Sequence, residues 1–186
     1  MRVFLDFEAS SLGKRSYPIE VAWVFEDGTA ESYLIAPGPV WTDWDSAAEA
    51  IHHIARPTLV ETGTPLQIVA DRLVERLAGH ALFASAPSWD GKWLNTLFRA
   101  AGYAKHTLRL RATAAALAET AREILRPVVA ADVLEAEVET VIVLADMRSS
   151  GAPAHRALPD AEAEHTAWAA VRDAAHARAA SLAESA

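Results

Sequence analysis

The chain opens on an apolar run, Val3-Phe4-Leu5, that ends in acids, so residues 2–8 are expected to form a strand. A second strand is expected over 18–26, PIEVAWVFE, and its return over 30–36, AESYLIA, with Asp27-Gly28 as the hairpin turn between them. Pro37-Gly38-Pro39 breaks the pattern, and residues 46–54 read as a short helix. Thr64 is placed to cap a longer helix, with Pro65 in its first turn, Ile68, Leu73, Val74 and Leu77 on its apolar face, and Gly79 at its end. Ala81 to Ser85 reads as a short buried strand. Residues 88–101 read as a helix with Trp89, Trp93 and Leu97 in register, stopped by Gly102, and Leu108 to Leu110 as a fifth strand. Residues 111–148 are rich in Ala, Leu and Glu and predict helices around a break at Pro127. A loop at 149–153 then leads to a long helix over 158–182. Three antiparallel strands followed by alternating helices and strands imply a mixed α/β sheet, five-stranded, with helices on both faces.

Polar residues inside this apolar frame carry the candidate chemistry. Asp6 and Glu8 lie two apart near a strand end, so both side chains share one face while Phe7 takes the other. Asp90 opens a helix directly after a buried strand, between Trp89 and Gly91. His155 and Asp160 flank the start of the last helix, where Pro159 suits the first turn. Singly, each has an ordinary explanation: solvated acids at a strand end, helix-start acids that favour the macrodipole, a structural histidine.

Together they form a pattern. The runs FLDFEASSL, SAPSWDGKWL and HRALPDA resemble, in order, the three motifs of the DnaQ-like DEDDh exonucleases, and the resemblance spans nearly the whole chain. The IHHI stretch at 51–54 is similar to the family's HGI segment. The sequence departs from the usual family pattern at Ser10-Ser11-Leu12, where Thr-Gly-Leu is common, and at His53, Ala86 and Pro159. The resemblance implies a ribonuclease-H-like fold and a single exonuclease domain over 1–186. It also implies metal-dependent 3′-5′ hydrolysis of phosphodiester bonds in single-stranded RNA or DNA. In that scheme Asp6, Glu8, Asp90 and Asp160 hold two divalent ions about 3.5–4 Å apart, with Asp6 shared between them. His155 takes the proton of the attacking water, a task an imidazole suits near neutral pH. Hard carboxylate oxygens select Mg²⁺ or Mn²⁺. For the substrate end the resemblance offers Leu12 as a wedge beside the terminal base, with Ser11 in the same turn, and His52 as a stacking surface. Lys14, Arg15, Lys92 and Arg156 lie near the motifs and are candidates for phosphate contacts.

Composition narrows this picture without overturning it. With 17 Lys and Arg against 25 Asp and Glu, the net charge of −8 argues against a protein that coats nucleic acid by bulk electrostatics. It is compatible with a cleft whose bound cations supply the local positive field. Cysteine is absent, which excludes disulfides and thiolate metal sites. The N-terminal apolar run is too short and too soon acidic for a signal peptide, and no window is long enough for a membrane span, so a cytoplasmic protein is expected. Trp41 and Trp44, in a polar loop, are expected to be the exposed tryptophans. The Ala-rich helices leave a homodimer open. Two other classes stay open: a catalytically inactive nucleic-acid-binding module of the same fold, and a phosphodiesterase acting on small nucleotides or dinucleotides.

Overall fold

The computed structural model describes residues 1–147 and 154–184. The expected loop at 149–153 lies outside the described residues. Six strands form one sheet in the order β4-β3-β2-β1-β5-β6. The first three are β1 (Arg2–Ala9), β2 (Pro18–Phe25) and β3 (Ala30–Ala36), consecutive antiparallel neighbours. Gly28 turns the β2–β3 hairpin at φ 86, a conformation that side chains with a Cβ rarely adopt. On the other side of β1, β5 (Ala81–Ala84) and β6 (Leu110–Ala112) add in parallel.

The sixth strand corrects the sequence reading. Thr64 and Pro65 do not start a helix; they form the two-residue β4, parallel to Ile35 and Ala36 at the sheet edge. Proline is tolerated there because an edge strand need not donate on its outer side. The helix begins one residue later, as α3 (Leu66–Leu77), and its buried residues are Val69, Ala70, Leu73 and Leu77. Ile68 is exposed and Val74 only partly covered, so the apolar stripe is rotated from the one expected. Two short helices precede it, α1 (Ser46–His52) and α2 (Arg56–Thr62), the second not expected from the sequence.

Helices cover both faces. On one face Val3, Leu5 and Phe7 of β1 pack against α3 and α4 (Pro87–Ala100) through Leu73, Leu77, Trp93 and Leu97. On the other, Phe4 and Phe83 meet Ala116 of α5 (Thr113–Leu125) and Trp168 of α7 (Ala157–Glu184). The Trp168 indole N–H donates to Thr120 Oγ1 at 2.8 Å, which satisfies the polar tip of a fully buried ring. The helix α6 (Leu134–Asp146) closes a second apolar cluster with α5 and α7. Because β2 is covered on both faces, every residue in it is buried and period-two alternation disappears. The alternation of β1 places Asp6 and Glu8 on the same side as Phe4, towards α7.

Trp41 and Trp44 are not exposed. Trp41 stacks on Tyr17 with ring centroids 5.0 Å apart, and Trp44 is half-buried with its indole N–H on Glu49. Among the described residues no helix is long and apolar enough to cross a membrane.

Candidate active site

Strand β1 delivers Asp6 and Glu8 to the face covered by α7, and the first turn of α7 delivers Asp160. One carboxylate oxygen from each of the three lies within 4.8 Å of the others. Asp90 comes from the first turn of α4 and is buried, with Oδ2 lacking any hydrogen-bond partner. These four acids line a cleft of about 580 Å³ that also takes in Leu12, Trp89, His155 and Glu164. All five polar residues of the sequence pattern therefore sit at one cleft, although they are drawn from both ends of the chain and its middle.

Crowding of like charge in a poorly solvated place sets the electrostatics. Burial first, then the charges of Asp90, Glu8, Glu164 and Asp160, push the Asp6 carboxyl up to about 9. Burial and the neighbouring Asp160 raise Glu8 to about 7, with Arg156 pulling the other way. Burial and Glu164 raise Asp90 to about 7. Carboxylates raised in this way bind protons more readily folded than unfolded. Their contribution to stability is complete below the ordinary carboxylate range and is lost as pH rises through about 7 and then about 9. In chelator, the melting temperature should therefore fall between pH 5.5 and pH 9. A divalent cation at a hundred times its Kd contributes about 2.7 kcal/mol, which raises Tm by roughly 5–10 °C for a chain of this size. The gain should be larger at pH 8 than at pH 5.5, because the cation displaces protons. Scanning calorimetry with and without Mn²⁺ or Mg²⁺ checks this, and a Tm indifferent to both cations would remove the electrostatic argument for a metal centre.

The segment before α7 is held by carboxylates. Asp160 accepts from the backbone N–H groups of Ala154 at 2.8 Å and Arg156 at 3.2 Å, one on each side of His155. His155 sits between them in the left-handed region at φ 54, exposed on the cleft rim. Arg156, a candidate for phosphate contact, forks onto buried Glu20 through Nε at 3.0 Å and Nη2 at 2.7 Å. Glu20 also accepts from Ala157 N at 2.9 Å, so β2 is tied to the first residue of α7. The other expected contact residues are placed unevenly. Leu12 is 70% exposed at the mouth of the cleft. The Ser11 hydroxyl donates to Asp43 and accepts from Gly13 N, and so braces the turn that carries Leu12. His52 is buried: its Nδ1 accepts from Ile54 N at 3.0 Å, and its edge meets the Trp44 ring. His52, Leu12, Ile51 and Trp93 line a smaller hollow of about 220 Å³ that meets the cleft at Glu8 and His155. Lys14 and Arg15 are exposed, and Lys92 Nζ donates to Gly13 O and Ser16 Oγ.

Glu164 was not singled out in the sequence. It lies four residues after Asp160, one helical turn further along the same face of α7. One oxygen accepts from Ser85 N at 2.9 Å, after β5, and the other from the Thr113 hydroxyl at the start of α5. Both oxygens thus join three elements at the cleft wall, while the charge raises Asp6 and Asp90. The i, i+4 spacing from Asp160 was its only signal in the sequence.

No family model matches the chain, and no curated protein matches it in sequence. Solved structures do match in fold. A zinc-bound complex of Escherichia coli exonuclease I with single-stranded DNA aligns with a TM-score of 0.63 at 16% identity, over 99% of this chain and 42% of that one. The same enzyme with a dA16 oligonucleotide aligns at 0.63 and 16% identity, over 96% and 42%. With a dT13 oligonucleotide the values are 0.60 and 16%, over 88% and 39%. The chain thus spans about two fifths of the exonuclease I chains it matches. It shares their mixed α/β fold, with one strand more than the sequence pattern suggested.

Proposed function

We propose that the protein is a DnaQ-like DEDDh nuclease that removes nucleotides from the 3′ end of single-stranded nucleic acid with the help of two divalent cations. The observation that carries this reading is the convergence of Asp6, Glu8 and Asp160 within 4.8 Å beside buried Asp90, with His155 at the rim of the same cleft. Similarity in fold to exonuclease I bound to single-stranded DNA supports it.

The donor set fits hard cations. Every candidate ligand is a carboxylate oxygen, and Asp90 Oδ2 is buried without a partner. Asp6, Glu8, Asp90 and Asp160 would hold the ions, with Mg²⁺ or Mn²⁺ as the matching choice. When bound, such ions act as Lewis acids that polarise a phosphodiester and make water a better nucleophile at neutral pH. The protein's own residues do the rest. An imidazole nitrogen of His155 accepts the proton of the attacking water as its oxygen bonds to phosphorus. The bond from phosphorus to the 3′ oxygen of the preceding nucleotide breaks and that oxygen takes a proton from solvent, giving a nucleoside 5′-monophosphate and a chain one unit shorter with a free 3′-OH. Leu12 and Trp89 flank the cleft mouth and exclude bulk water from the terminal nucleotide. The hollow beside Glu8 and His155, walled by Leu12 and Trp93, gives that nucleotide's base an apolar seat.

The test is product analysis on matched RNA and DNA oligomers labelled at either end. Mononucleotides should appear first from a free 3′-OH, a 3′-phosphate should inhibit strongly, and closed circles should be inert. Equal activity on circles and linear chains would contradict the proposal.

A further inference from the structure

A second hollow, of about 570 Å³, lies beside the cleft, between α4 and the connection from α4 to β6. The chain's three lysines, Lys14, Lys92 and Lys105, all line it, together with Arg99, Arg109 and His106, and no carboxylate does. In a protein of net charge −8 this concentration needs a reason. Arginines elsewhere, such as Arg2, Arg72, Arg122 and Arg178, are paired with carboxylates. Lys14, Arg99, Lys105 and Arg109 are exposed and have no ion-pair partner among the described residues. Four unneutralised cations on one concave surface repel one another, so the arrangement is complementary to a polyanion rather than to the protein itself.

The hollow adjoins the cleft along two elements. On the turn after β1, Leu12 faces the cleft and Lys14 the hollow. On the first turns of α4, Trp89 and Asp90 line the cleft while Ser88, Gly91 and Lys92 line the hollow. The Lys92 ammonium lies 4.9 Å above the Trp89 ring and is bonded to Gly13 O at 2.6 Å, so one side chain joins both elements at the ridge between the two spaces. Asn95 shapes the far wall, accepting from His106 N at 2.9 Å and donating to Gly91 O at 2.6 Å.

We propose that this basic groove holds the phosphate backbone of the strand upstream of the cleft, with Lys14, Arg99, Lys105 and Arg109 as the phosphate contacts and Trp89 as the ridge over which the chain passes. The inference rests on the nuclease reading and adds to it a substrate class: oligomers long enough to reach the groove, not dinucleotides. Phosphate contacts of this kind read no sequence, so no base preference arises there.

The test is equilibrium binding of 5′-labelled oligothymidylates of about 4 and about 16 nucleotides, followed by anisotropy across a salt series. Hydrolysis-resistant 3′ phosphorothioate linkages keep the oligomers intact in Mg²⁺. Wild-type protein should prefer the longer oligomer. The Arg99→Ala/Lys105→Ala/Arg109→Ala variant should lose that preference, binding the long oligomer about tenfold more weakly, with a salt slope reduced by about 2, at ~0.7 per lost contact. The charge-preserving Arg99→Lys/Lys105→Arg/Arg109→Lys variant should behave as wild type. Unchanged long-oligomer affinity in the alanine variant would overturn the groove, as would equal binding of a polyglutamate peptide. Hydrolysis of unmodified oligomers, assayed alongside, separates the two readings. Turnover without a groove effect removes the groove alone, and groove-dependent binding without turnover removes the nuclease chemistry alone.

Discussion

Replacing Asp6 by alanine is expected to abolish turnover in Mg²⁺, a loss of at least about 10³-fold, or several kcal/mol of transition-state stabilisation. Asp6 is the carboxylate on which the others converge: Asp90, Glu8, Glu164 and Asp160 all raise it, and burial raises it most. Those groups can share one place ionised only if cations offset them, so the residue at their centre governs whether the cations are held. The isosteric Asp6→Asn separates this from unfolding. It leaves no hole and needs no proton, whereas the Asp6 carboxyl, raised to about 9, must take one up as the chain folds at pH 8, so in chelator the variant should melt higher than wild type at pH 8 while being inactive. Stopped assays and calorimetry on both variants check the pair of effects. Residual cleavage by Asp6→Ala at near wild-type rate would end the metal assignment, and a chelator Tm below wild type for Asp6→Asn would end the electrostatic account.

The second large effect is expected at His155. His155→Ala should lower turnover about 10²–10⁴-fold, the range for a lost general base. Divalent-cation binding should stay intact, because the imidazole is exposed on the rim and outside the carboxylate group. The backbone around it should also stay in place, because Asp160 bonds the N–H groups of Ala154 and Arg156 rather than the ring. Isothermal titration with Mn²⁺ beside single-turnover rates makes the comparison, and added imidazole should restore part of the rate. Near wild-type activity in His155→Ala would assign proton transfer elsewhere. A parallel loss of cation binding would make the residue a structural support.

Strong local signals made much of the architecture legible. Asp27-Gly28 marked the β2–β3 hairpin because its backbone needs a positive φ, and the apolar periods of α4 and β1 gave the order of elements. Elements whose identity depends on a neighbour were hidden. Thr64-Pro65 becomes a strand only because Ile35 and Ala36 lie alongside it. The helix α2 has no capping side chain and buries only Leu59. Trp41 reads as exposed in a polar loop, yet Tyr17 offers a ring to stack on, and nothing local announces that. The candidate site was clearer than the fold's edges, because acids embedded in core-forming runs are conspicuous. Glu164 escaped because an acid in an Ala-rich helix is ordinary until its distance from Asp160 is measured in turns. Of the basic groove, Lys14 and Lys92 stood out through their nearness to the motifs, while Arg99, Lys105 and Arg109 escaped because they lie on other stretches of chain.

The tie between Glu20 and the start of α7 has a consequence for biosynthesis. Glu20 joins Arg156 and Ala157 across 136 and 137 residues of sequence, and that junction, with the packing of Ala161 on Ala22 and Val24, sets Asp160 beside Asp6 and Glu8. A chain still on the ribosome can complete the β1–β2–β3 meander early, since those contacts are local. It holds Asp6, Glu8 and Asp90 but not the segment that carries His155 and Asp160. On the proposed nuclease reading, a chain so built lacks part of its carboxylate set, and its histidine, until α7 docks.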